Sequence, residues 1–288
     1  MVAVSRFLRG AVAAALAAAT ASFAASSTPS MSLGGQCRWS LDFRTSLAQS
    51  AAAPVEVHLT GVWTSTIVAM RPGEYDAQLQ ITDIGFTGDA AQNAPAATLK
   101  DLQSRLARPF WATYRSDGGL LAIHFFRDVT PTDRNLLQMI ATELQIVQPN
   151  SERPSWTAQE RDGAGEYVAL YVMLQRGHIL KRKLKYVYID GAAGGPANAV
   201  SIGIDESSVS FSVAPNGHVL SVDGTSRMHI SLNLEKSQQL TIVADIHIGD
   251  LRTERAPELI GSLAHALPNV TNSPIVTHRM DPDEVRPV

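Results

Sequence analysis

The stretch TPTDRNLLQMIATELQIV, residues 130–147, departs from everything around it. Thr130 offers an N-cap hydroxyl, Pro131 suits the first helical position, and Asp133 places an acid in the first turn. Leu136, Leu137, Ile140, Leu144 and Val147 then recur at helical spacing, with Met139 and Ile146 widening the apolar stripe. The spacing predicts a helix over 133–147 whose apolar arc is too wide for a surface, so other structure must wrap it. Pro149 and Pro154 end it.

On both sides of this segment the period changes to two. Upstream, Trp39, Leu41 and Phe43 alternate with Ser40, Asp42 and Arg44, and Val55, Val57 and Leu59 do the same. The phase shifts at Gly61, so that Trp63, Ser65 and Ile67 continue the strand, which is the mark of a bulge in a curved sheet. A turn at Arg71-Pro72-Gly73-Glu74 leads into Tyr75, Ala77, Leu79 and Ile81. A Gly/Ala/Asn/Pro-rich loop over 85–99 and a short helix over 100–107 follow, then a hairpin of Phe110–Tyr114 and Leu120–Phe126 around Asp117-Gly118-Gly119. Downstream, strands are expected at 155–161, 166–175, 178–189, 199–213, 218–222, 226–234 and 239–248. Gly177, Lys236-Ser237 and the two-residue hairpin signal Asn216-Gly217 mark turns between them. A helix is expected over 254–266 and a disordered end over 267–288.

The fold class is therefore mainly β, an antiparallel barrel or strongly curled sheet of about eleven strands with a central helix. No period of 20 to 50 residues repeats, which excludes a propeller or solenoid.

Composition narrows the function. The 288 residues are 45% apolar and only 18% charged, enough to bury a large core. With 24 Lys+Arg against 27 Asp+Glu the formal charge is −3, which argues against a nucleic-acid binder. The one cysteine, Cys37, excludes an intramolecular disulfide and a Cys-rich metal site and reads as a small buried residue. Residues 1–25 carry Arg6 and Arg9, an alanine-rich apolar run from Ala11, and small residues at Ser22 and Ala24. That is the pattern of a signal peptide cleaved after Ala24, implying a periplasmic or extracellular protein. A Ser/Thr/Pro/Gly-rich leader over 26–36 follows, then the main domain over 37–250 and the short helix and tail of 251–288.

No G-x-S-x-G, H-E-x-x-H, phosphate-binding glycine loop or dinucleotide fingerprint is present, so neither an enzyme, a cofactor nor a resident metal is expected. His229, His247 and Asp245 lie on neighbouring predicted strands, where pairing would gather them as a metal or acid/base trio or leave them as solvent-facing polar residues. Glu56 and His58 pose the same choice, and His124 reads as a packed or rim histidine. Lys181, Lys183 and Lys185 share one face of a predicted strand, with Arg182 opposite. They offer a contact for lipid head groups or an acidic partner, or protection of a strand edge. Leu136, Leu137, Ile140 and Leu144 form the apolar face of the helix, which either plugs the barrel or borders a lipid pocket.

The order of several motifs resembles the N-terminal β-barrel domain of the large lipid transfer proteins, the vitellogenin and microsomal triglyceride transfer protein family. Arg108-Pro109-Phe110 with Tyr114, Gly118 and Leu121 is similar to the family's P-F-x-Y-x-x-G-x-V hairpin. Asn135 to Ile140 and Gln145 are similar to its N-x-x-x-x-I-x-x-x-x-Q plug helix. Asp162, Gly165 and Tyr171 followed by Lys181–Lys185 resemble its next strand pair, with Glu166 and Tyr167 standing near the family's cysteine. The resemblance spans 37–250 and implies a non-enzymatic lipid-binding or lipid-transfer-related module, with a lipid or lipoprotein-like partner. It also implies docking to a protein that supplies the missing helical and sheet domains. The alternative is an exported structural or adhesive protein-interaction domain without lipid cargo.

Overall fold

The computed structural model describes residues 32–49, 54–149, 151, 153–189, 200–215, 217–232, 238–275 and 278–279. The signal peptide, residues 26–31 of the leader and the Lys236-Ser237 turn lie outside the described residues.

Two antiparallel meanders share one sheet. The first runs outward through β1 (Gly35–Gln49), β2 (Val55–Arg71), β3 (Glu74–Thr87), β4 (Phe110–Arg115) and β5 (Leu120–Phe126). The second returns through β6 (Ser155–Arg161), β7 (Gly165–Gln175), β8 (His178–Ile189), β9 (Val200–Val213), β10 (Val219–Leu232) and β11 (Gln238–Arg255). They join where β1 pairs with β11, from Gly35 opposite Arg255 to Gln49 opposite Leu240. Short strands β12 (Val270–Pro274) and β13 (His278–Arg279) pair with β5 and β6 and form the two edges of a thirteen-stranded sheet.

The barrel of the sequence reading is thus corrected to an open sheet: among the described residues no ladder joins β12 to β13. The disordered end expected over 267–288 is corrected where it is described, because 270–274 and 278–279 pair with the sheet; residues 276–277 and 280–288 lie outside the described residues. Strands this short blunt the edges that closure would otherwise have to remove. The helix expected over 254–266 is mostly other structure: β11 runs to Arg255, a 3-10 turn covers Pro257–Leu259, and α4 is only Ser262–Ala266. With Val270, Leu263 and Ala266 of this segment cover Val68 and Trp111, and Ser262 accepts a hydrogen bond from Trp111 Nε1 at 2.9 Å.

Helices α1 (Asp89–Asn93) and α2 (Ala96–Leu106) connect β3 to β4, and α3 (Pro131–Glu143) connects the two meanders. Thr130 caps α3 as its sequence suggests, its hydroxyl accepting from Asp133 N at 3.2 Å. Asp133 also takes Arg105 Nε of α2 at 2.8 Å. Leu137, Ile140 and Ala141 enter one core with Phe43 of β1, Phe110 of β4, Tyr171 of β7 and Ile246 of β11, so the sheet curls around α3 from both sides.

The helix ends at Glu143, four residues short of the expected Val147. Beyond it the backbone finds partners outside a helix: Val147 N donates to Tyr171 Oη at 3.2 Å, Val147 O accepts from Trp156 Nε1 at 2.7 Å, and Gln148 N donates to Asp117 O at 2.8 Å. Gly61 sits where the β2–β3 register shifts, as its phase change predicted; a Cβ there would meet Thr82 O at 2.8 Å. The Asn216-Gly217 hairpin has a longer loop than two residues, since Val213 pairs with Val219 and Ala214 N donates to His218 O at 2.8 Å.

Candidate functional site

Where the curl of the sheet meets the C-terminal end of α3, side chains leave a cavity of about 470 Å³. Cross-strand register builds its floor, because Trp39 lies opposite Trp63, and Cys37 opposite Ser65. Residues directly opposite in an antiparallel pair share a face. Trp39 is held by its Nε1 donating to Val219 O at 3.1 Å, and Tyr75 stacks on Tyr114 at 5.1 Å between ring centres. Leu79, Ile248, Ala141, Leu144 and Ile146 complete the apolar lining. A change of register between β1 and β11 accompanies Asp250, at φ 54°, just before the stretch of β11 that forms the rim.

No charged side chain lies on the floor; Asp117, Glu254 and Arg255 stand at the rim with His218 and Ser32. The two acids are paired, Glu254 with Arg38 at 3.2 Å and Asp117 with Arg115 at 3.1 Å. Cys37 Sγ lies 3.8 Å from His218 Nδ1, and burial pushes its thiol up to about 11. It lines the cavity and is half-buried against the core, less deeply than the small buried residue expected.

The lysine face of the sequence reading does not exist as an exposed feature. Lys181 and Lys183 are buried, at 0% and 5% exposure, whereas Arg182 and Lys185 are exposed. Val168 faces Lys185 but Ala169 faces Lys183, so a bulge at Leu184 turns Lys185 to the opposite side. Lys181 Nζ donates to Gln145 O at 3.0 Å, Thr142 O at 3.3 Å and Glu160 Oε2 at 3.3 Å. Glu160 also accepts from Tyr167 at 2.9 Å and from Tyr171. Lys183 Nζ bonds Glu143 and, at 2.9 Å, Asp162, which accepts Tyr186 Oη at 2.7 Å.

Burial alone would raise the Asp162 carboxyl, but the Lys183 ammonium and the Tyr186 hydroxyl outweigh it and hold it below the usual range. Burial likewise works against the Lys183 charge, and Glu143 and Asp162 overcome it and push its pKa well up. Instead of meeting head groups, these lysines tie the end of α3 to β6 and β8 and so hold the roof of the cavity. Of the helix residues expected to plug the sheet, Leu137 and Ile140 are buried, while Leu136 and Leu144 are half-buried, with Leu144 on the cavity wall.

Of the two readings of the histidine trio, the structure bears out the solvent-facing one: Asp245 and His247 are exposed and His229 is half-exposed. His229 lies opposite Thr241 and bonds Asp205 at 2.9 Å; His247 lies opposite Asp223 and bonds it at 2.5 Å; Asp245 lies opposite Thr225. They do not meet, and among the described residues no group of three His, Cys, Asp or Glu is placed to hold a metal. His58 pairs with Asp42 at 3.1 Å, not with Glu56. His124 is packed at 8% exposure against Thr113 at 3.1 Å, and burial lowers its pKa.

These features define a class of protein: one curled antiparallel sheet of two meanders, with a connecting helix in its concave face and an apolar cavity at the helix end. No protein-family model matches the chain, and no curated protein matches it by sequence. Among solved structures lipovitellin, described for its lipid–protein interactions, aligns with a TM-score of 0.52 at 14% identity, over 77% of this chain and 26% of its own. The fold therefore resembles the vitellogenin N-terminal domain, and the chain spans about a quarter of the lipovitellin chain. A LolA-superfamily protein from Nitrosomonas europaea aligns over 81% of this chain and 92% of its own at 11% identity, with a TM-score of 0.23 that carries no argument. Among the described residues no helix is long and apolar enough to cross a membrane.

The ring of Trp39, Trp63, Tyr75 and Tyr114 is what sequence reasoning missed as a site. Alternation places three of these four on strand faces, but a void depends on how distant strands curl, which no local period reports.

Proposed function

We propose that this chain is an exported, non-enzymatic lipid-binding module that holds an apolar cargo in the cavity under the end of α3 and acts by docking to a partner. The observation that carries the reading is the cavity itself: about 470 Å³, walled by aromatic and aliphatic side chains, with every lining charge at the rim. The fold likeness to lipovitellin supports it, and so does the leader of residues 1–25 for export.

The test is mass spectrometry of an organic extract of the protein, purified without detergent beside an exported control. Stoichiometric lipid in the sample alone is the expected result. No lipid in the extract and none taken up from added lipid would replace this reading with a protein-interaction domain.

A further inference from the structure

We infer that the cavity takes one single-chain amphiphile with an anionic head, its tail under α3 and its head at Arg255; this rests on the lipid-binding reading above. The first argument is volume. A methylene fills about the space of a water molecule in the liquid, ~30 Å³. A cavity of about 470 Å³ therefore accepts one long acyl chain and not two.

The second argument is the charge at the rim. Glu254 and Asp117 are already bound to Arg38 and Arg115. Arg255 differs from them: it donates to Ser32 Oγ at 3.2 Å and Leu33 O at 3.0 Å, and among the described residues it has no carboxylate partner. It is fixed in place by neutral acceptors at the end of β11, where that strand pairs with Gly35 at the cavity lip. A guanidinium held this way is preorganised for a carboxylate or a phosphate. An uncharged head leaves it without an anion, and a second acyl chain has no room.

The experiment uses the full chain stripped of lipid and measures binding by calorimetry with oleate, oleoyl lysophosphatidate, methyl oleate and vesicles of dioleoyl phosphatidate. Oleate or lysophosphatidate is expected to bind with one equivalent, and the tighter of the two identifies the head as carboxylate or phosphate. Methyl oleate is expected to bind about tenfold or more weaker. R255Q is expected to weaken the anionic ligand by a similar factor and leave methyl oleate unchanged. Equal binding of methyl oleate and oleate by the unaltered protein, or stoichiometric uptake of the two-chain lipid, overturns the inference while leaving lipid binding intact. Binding of none of the four overturns the lipid-binding reading as well.

Discussion

Lys183 Nζ and Asp162 Oδ2 meet at 2.9 Å with both side chains at least nine-tenths removed from solvent, and Lys183 also bonds Glu143 at the last turn of α3. A pair at this depth is costly to break, because removing one member strands the other as an uncompensated buried charge.

The first prediction separates buried from exposed basic residues of β8. Lys183→Met and Lys181→Glu are each expected to destabilise the fold by about 3–5 kcal/mol, read as a lower urea midpoint. Arg182→Glu and Lys185→Glu lie on exposed positions and are expected to stay within about 0.5 kcal/mol of the parent. Loss of vesicle binding after changing all three lysines would therefore report unfolding; head-group contact can be tested only with Arg182 and Lys185.

The second prediction is the pH dependence of stability. The Asp162 carboxyl is held below its ordinary value of 3.8, so its contribution is complete above that pH and is lost as pH falls through the lower folded value. The Lys183 pKa is raised, so its contribution is complete below the unfolded value of 10.5 and fades only as pH rises through the folded one. Chemical denaturation is expected to show a plateau between about pH 5 and 10 and a fall below 4. Asp162→Asn should lower the plateau and shallow the acid slope; an unchanged slope would remove Asp162 as its source.

Gly118 supplies the third prediction. It has φ 87°, and a Cβ there would meet Ile146 O at 2.3 Å, where the segment after α3 crosses the β4–β5 turn at the cavity rim. Gly118→Ala is expected to lower the melting temperature by several degrees, equivalent to more than about 1 kcal/mol. Gly73→Ala, with φ 80° but nothing within 4 Å, should cost less.

These positions also show what was legible in the sequence. The Asp117-Gly118-Gly119 turn, the phase change at Gly61, the cap at Thr130 and the two-residue turn at Gly177 are local chemistry, and each stands where the pattern put it. The lysines of β8 were legible only as alternation. The bulge at Leu184 is set by pairing with β7, and the acids awaiting Lys181 and Lys183 come from β6, α3 and the β6–β7 turn, at 21 to 40 residues' separation, so no local rule reveals them. The strands of 270–274 and 278–279 were missed for a similar reason: segments this short form strands only because β5 and β6 present open edges to them.

The fourth prediction concerns the helix cap. Thr130→Ala removes the acceptor for Asp133 N and is expected to cost about 1 kcal/mol. Asp133→Ala should cost more, since Asp133 is buried and also holds Arg105. The comparison is read from urea midpoints at neutral pH.

The most direct measurement uses Cys37, the only cysteine of the chain and a wall residue of the cavity. Its thiol is pushed up to about 11, so alkylation at pH 8 is expected to be slow and to quicken about tenfold per pH unit. The rate at fixed pH is compared for lipid-stripped protein and for protein saturated with a lipid shown to bind. Cargo lying against Trp39 and Trp63 must cover the thiol, so strong protection is the predicted result. An unchanged alkylation rate at full lipid occupancy would place the lipid elsewhere and contradict the account.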